Sequence, residues 1–141
     1  MRALLALLLC GLVFGAAGAR AELVVVANPR SGIEQLTEDE VINIFLGRYR
    51  RLASGIAAEP VDIVDDSPLR VRFYRGLVNK SLPEINAYWA RLVFSGKTRP
   101  PHMVPSVEAA LQFVASQPGG VAYLERAQVD RRVKIVFVLS E

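Results

Sequence analysis

Thiols and imidazoles are nearly missing from this chain. Its 141 residues include one Cys, Cys10, and one His, His102. A metal centre built from nitrogen or sulfur ligands needs more than that, and no carboxylate cluster replaces them. Cys10 sits in an apolar N-terminal run, so the rest of the chain has no thiol nucleophile and can form no disulfide. Ser-His-Asp catalysis would need a serine beside His102, which lies between Pro101 and Met103 in a proline-rich connector. Neither the Walker loop nor G-x-G-x-x-G occurs. The sequence carries no enzyme signature and implies no cofactor or metal, and His102 reads as a solvated loop residue.

Residues 1–21, "MRALLALLLCGLVFGAAGARA", have the layout of a cleavable signal peptide. Arg2 supplies a small positive n-region, Ala3 to Ala19 an uncharged apolar run, and Ala19-Arg20-Ala21 the small-x-small cleavage pattern. A membrane anchor also fits the length of the run, but the cleavage pattern favours removal, with Glu22 as the mature start. Leu9 before Cys10 argues against lipidation, since that position takes a small residue. Removing Arg2 and Arg20 from the seventeen basic residues leaves fifteen against fourteen acidic ones. The mature net charge falls to about +1, which disfavours nucleic acid as a partner. Residues 22–141 are enough for one domain with a sizeable core.

Strand and helix signals alternate along that segment. Leu23 to Ala27, "LVVVA", reads as a strand buried on both faces. "NPRSG" breaks it with turn chemistry. Thr37 and Glu40 form a capping box for a helix that stops at Gly47. "RYRRLASGIAAE" reads as a basic loop. Val61 to Val64 is a second strand. Ser67 and Pro68 predict the N-cap and first residue of a helix with Leu69, Phe73 and Leu77 inward and Arg72 and Arg75 outward.

Ser81 caps a third helix, whose Ile85, Tyr88, Trp89, Leu92 and Val93 share one face. "KTRPPHMVP" reads as an extended connector. Ser106 caps a fourth helix with Val107, Ala110, Leu111 and Val114 on one side. "VAYL" and Val133 to Leu139 complete the strands. The pattern predicts an α/β domain with a mostly parallel sheet flanked by helices. Such sheets bind ligands beyond the carboxyl ends of their strands. That makes "NPRSG", "DDSPL" and "ERAQ" the candidate loops.

Several segments together resemble a known family. "VVVANPRSGIEQLTEDEVINIFLGR" is similar to the second-lobe entry of phosphate-type periplasmic solute-binding proteins. Ser67-Pro68-Leu69-Arg70, with Phe73 three residues on, matches that family's Ser-Gly-Thr-Arg turn. "FVASQPGGVAYL" resembles its Val-Ala-x-x-Pro-Gly-Ala-Ile-Gly-Tyr segment. "AYWARLVFSGKTRPP" is similar to short, single-lobe members. The resemblance implies one lobe of the type 2 periplasmic binding fold, secreted to the periplasm and non-enzymatic. It implies phosphate or another small anion as ligand, an ABC-transporter role beside a membrane permease, and Ser67 and Arg70 as binding residues, while Arg30, Ser31 and Gly32 are candidates as part of the "NPRSG" loop.

The departures from the pattern bear on that ligand. Pro68 replaces the family glycine and has no N–H to donate. Leu69 replaces the threonine and has no hydroxyl. Asp65 and Asp66 stand where relatives carry an arginine, and Ala122 replaces a glycine. A helix N-terminus favours an anion by about 0.3–1 kcal/mol at an exposed site. Each nearby carboxylate opposes it by roughly 1 kcal/mol at ~4 Å in water. The alternative role is an adaptor or sensor module that has lost anion binding and docks on a periplasmic or membrane protein. Arg48, Arg50, Arg51, Lys97 and Arg99 would then form its rim.

Overall fold

The computed structural model describes residues 21–141, so the expected signal peptide lies outside the described residues apart from Ala21. Five strands form one sheet: β1 Leu23–Ala27, β2 Glu59–Ile63, β3 His102–Val104, β4 Gly120–Glu125 and β5 Lys134–Val138, in the order β3-β2-β4-β1-β5. The helices are α1 Glu38–Phe45, α2 Leu69–Val78, α3 Leu82–Phe94 and α4 Val107–Ser116, with a short 3₁₀ turn at Arg126–Gln128.

β2 runs parallel to both β3 and β4, whereas β1 is antiparallel to β4 and to β5. Four strands therefore point one way and β1 is inserted against them. All five β1 residues are buried, as are the first five of β4. Side chains alternate between faces, so helices must cover both sides of these strands. The part of "KTRPPHMVP" expected as a connector is instead edge strand β3 over His102–Val104, because its backbone pairs in register with Val61–Ile63.

Local signals in the sequence set most helix starts. Thr37 and Ser81 each form a full capping box, with Glu40 and Glu84 as the reciprocal partners. The Ser106 hydroxyl accepts from the Ala109 N–H at 3.1 Å. α2 departs by one residue: it begins at Leu69 with Pro68 as its N-cap, and Ser67 lies outside it. On α3, Ile85 and Trp89 are buried, but Val93 is 52% exposed, so the expected inward face ends before Val93.

The core centres on an aromatic cluster. Phe73 stacks on Tyr123 with centroids 4.1 Å apart and planes 14° from parallel. Phe45 meets Phe73 edge-on at 4.8 Å, and Tyr74 meets Phe73 at 5.2 Å. This joins α1 and α2 to β4. The chain crosses tightly at Gly119, whose carbonyl accepts from the Glu59 N–H at 2.8 Å. A Cβ there would sit 1.8 Å from the Ala57 carbonyl oxygen, so only glycine lets these backbones meet.

Candidate functional site

The carboxyl ends of β2 and β4 and the start of β1 share one edge of the sheet. The turn at 64–68 and the segment Glu125–Gln128 lie there. Just inside this edge, at position 62 of β2, is a buried carboxylate. Asp62 is 1% exposed. Its Oδ1 accepts hydrogen bonds from the Tyr74 hydroxyl at 2.8 Å and the Tyr123 hydroxyl at 3.0 Å. Its Oδ2 lies 3.5 Å from Nη2 of Arg70. The Tyr123 oxygen in turn accepts from the Ile63 N–H at 3.0 Å.

Burial pushes the Asp62 carboxyl above the usual aspartate range, while Arg70 and the two hydroxyls pull the other way. Burial and the neighbouring Asp62 charge raise both tyrosines, so they stay protonated donors. The Arg70 guanidinium also lies 5.9 Å from the Tyr74 ring centre, within cation–π range. Its Nε is buried without a hydrogen-bond partner. Arg70 is thus an internal counter-ion more than a free surface group.

The turn before α2 is also self-satisfied. Asp65 accepts from the Ser67 N–H at 2.9 Å and from the Ser67 hydroxyl. The Ser67 oxygen accepts from the Leu69 N–H at 3.4 Å. Both Ser67 donors are therefore spent on an acid of the same turn. Arg72, expected to point to solvent, instead bridges Glu125 at 3.2 Å and Glu141 at 2.6 Å.

Scans against protein-family models and curated proteins gave no match. Among solved structures, an ABC-type phosphate transport receptor from Vibrio cholerae matches with a TM-score of 0.64 and 17% identity, over 82% of this chain and 45% of that one. A phosphate-bound putative phosphate ABC transporter substrate-binding protein from Clostridium perfringens matches with a TM-score of 0.63 and 13% identity, over 82% and 44%. The fold is similar to one lobe of these proteins. The chain covers less than half the length of either, so the likeness concerns the fold of a lobe and not a whole receptor.

In this binding-protein-like lobe, Ser67 and Arg70 sit together at the carboxyl edge. Arg30, Ser31 and Gly32 do not join them. Because β1 runs antiparallel to its neighbours, its end, and "NPRSG" with it, lies at the opposite edge, near the starts of β2 and β4. There Asn28 donates to the Val114 carbonyl at 2.7 Å and the Ala115 carbonyl at 3.1 Å. Ser31 is buried, its hydroxyl accepts from the Ile33 N–H at 3.2 Å, and its carbonyl accepts from Ser54 at 2.6 Å. Gly32 has φ +74°, and a Cβ would lie 2.8 Å from that of Ser54. Arg30 is exposed.

The sequence reading missed Asp62. Its signal was present: one acid inside the apolar run "VDIV" of a buried strand needs a buried partner. Nor is His102 a free loop residue. It sits on β3, bonds Glu59 through Nε2, and packs 4.8 Å from the Phe113 ring. Among the described residues no group of three or more His, Cys, Asp or Glu could hold a metal, and no helix is long and apolar enough to cross a membrane.

Proposed function

We propose that this chain is a periplasmic, non-enzymatic, binding-protein-like lobe that has given up anion carriage and works by docking on a protein partner, such as a sensor or membrane protein. One observation carries the reading. At the carboxyl edge, where sheets of this kind meet ligands, one arm of the Arg70 guanidinium and both Ser67 donors already face the chain's own acids. Asp62 holds Arg70 and Asp65 holds both donors of Ser67. A phosphate at this edge would have to displace one carboxylate and face Asp66 as well. Like charges that close oppose each other by several kcal/mol once water is partly excluded, roughly 4 kcal/mol at 4 Å for an effective dielectric of 20.

The competing reading is weak binding of phosphate or a related oxyanion for an ABC transporter with its permease. It is favoured by the Arg70 Nε, buried without a partner. Calorimetric titration of residues 22–141 with inorganic phosphate separates the two. The docking reading expects no heat up to millimolar phosphate. Saturable binding at micromolar phosphate would overturn it.

A further inference from the structure

We propose that the groove at the amino edge of the sheet receives an extended acidic segment of a partner protein. This deepens the docking reading and rests on it. The groove lies beyond the starts of β2 and β3, opposite the edge that carries Arg70. Its walls are the turn after α1 (Tyr49, Arg50 and Arg51), the end of α3 at Val93, and the run from Thr98 to His102. Its volume is about 990 Å³. A tetrahedral oxyanion would rattle in such a space, whereas several side chains of a peptide fill it.

The charge of the groove is one-sided. Arg50 donates to the Lys97 carbonyl, and Arg51 donates to the Gly55 carbonyl at 2.8 Å. Carbonyls orient a guanidinium without neutralising it. Among the described residues, the lining arginines Arg50, Arg51 and Arg99 make no ion pair. The one carboxylate in the lining, Glu59, is already bonded to His102. The surface therefore presents held but uncompensated positive charge, and its complement is a run of carboxylates.

Apolar groups beside these cations give the partner something to anchor on. Val93 is 52% exposed, Tyr49 48% and Phe94 96%. β3 closes one side of the sheet, so its outer backbone edge is open beside the groove, with Met103 exposed on it. An extended segment can pair with such an edge while its acids meet the arginines. The concave placement of the arginines favours a peptide over a flat anionic membrane.

The test uses a short fluorescein-labelled peptide that alternates Glu with Leu, its Lys-for-Glu counterpart, and residues 22–141, read by fluorescence anisotropy. The acidic peptide should bind and the basic one should not. Arg51→Glu with Arg99→Glu should weaken binding at least about tenfold, the loss of roughly one charge-assisted contact. Arg75→Glu with Arg131→Glu changes net charge equally away from the groove and should leave binding nearly intact. Equal losses in both double variants would overturn the proposal, as would failure of the wild type to bind. So would displacement of the peptide by phosphatidylglycerol vesicles.

Amide shift mapping on the unmutated protein guards against misfolded variants. Peptide-induced shifts should fall in 47–51, 57–60 and 96–102, and shifts centred on 65–72 would overturn the proposal. Micromolar phosphate binding at Arg70 would sink the docking reading yet leave these groove measurements standing. A silent groove without phosphate heat would sink this proposal alone.

Discussion

The guanidinium of Arg70 lies 3.5 Å from a carboxylate oxygen of Asp62, an aspartate that is 1% exposed. Two tyrosine hydroxyls complete the shell of that carboxylate. Asp62 thus occupies, from inside the lobe, the role an incoming anion would play for Arg70. Asp62→Ala should destabilise the protein by about 3 kcal/mol or more, because it strands a mostly buried cation and leaves two hydroxyls without their acceptor. Asp62→Asn should recover part of that by keeping one acceptor oxygen. Urea unfolding measures both, and a cost for alanine below about 1 kcal/mol would refute the counter-ion role.

The same carboxylate has a pH signature. Burial raises Asp62 in the folded state. Just above the ordinary aspartate range the folded chain therefore keeps a proton that the unfolded chain has lost. Stability contributed by this group is present below that range and declines as pH rises through the raised value. Glu108 and Asp130 act in the opposite sense, since hydrogen bonds from Arg132 lower both. Their contribution is present above their unfolded values and is lost as pH falls through the lowered ones. Unfolding free energies across acidic pH should show the first slope vanish in Asp62→Asn and the second shrink in Arg132→Gln. A wild-type profile that superimposes on Asp62→Asn, after a constant offset, would contradict the first assignment.

Tyr74 and Tyr123 both donate to Asp62 but are not equivalent. Tyr123 also accepts from the Ile63 N–H inside the sheet. Tyr74→Phe removes one donor and should cost about 1 kcal/mol. Tyr123→Phe also orphans a buried backbone N–H and should cost about 1–3 kcal/mol. Equal costs in denaturant unfolding would show that water reaches Ile63 in the variant.

Much of the fold was legible because its signals are local. Thr37, Ser81 and Ser106 mark helix starts through bonds spanning three residues, and the unbroken apolar run of β1 announced a strand buried on both faces. The direction of β1 was not legible. It depends on pairing with β4 and β5, about a hundred residues later in the chain, and it decides that Arg30, Ser31 and Gly32 lie away from Ser67 and Arg70. Asp62 was hidden for a related reason. A lone acid in a strand shows its partners only when Tyr74 and Tyr123 arrive from separate elements. Val93 failed the helical pattern because α3 overruns the core and presents its last turn to the groove.

Gly119 is where β4 enters the sheet beside Ala57. A methyl group there would need the Ala57 carbonyl to retreat from 1.8 Å, and that backbone is pinned by the neighbouring Glu59–Gly119 hydrogen bond. Gly119→Ala should cost at least about 1–3 kcal/mol, the usual penalty of overpacking. It should also perturb the groove wall at Ala57 and Ala58. A melting temperature equal to that of the wild type would mean that the two loops can separate freely.

The turn before α2 tests the proposed absence of anion binding. Asp65 holds the N–H and hydroxyl of Ser67. Asp65→Ala frees these donors, yet it should not create phosphate binding. Pro68 still has no N–H, Leu69 has no hydroxyl, and Asp62 still holds Arg70. Adding Pro68→Gly and Leu69→Thr restores a backbone donor and a hydroxyl next to the freed Ser67. That triple variant should give measurable phosphate heat, weak because the cleft remains open on one side. If Asp65→Ala alone binds phosphate at micromolar concentration, Asp65 is a gate on a working site and the docking reading fails. If the triple variant folds and still binds nothing, Asp62 is the dominant block, because it neutralises Arg70 from within.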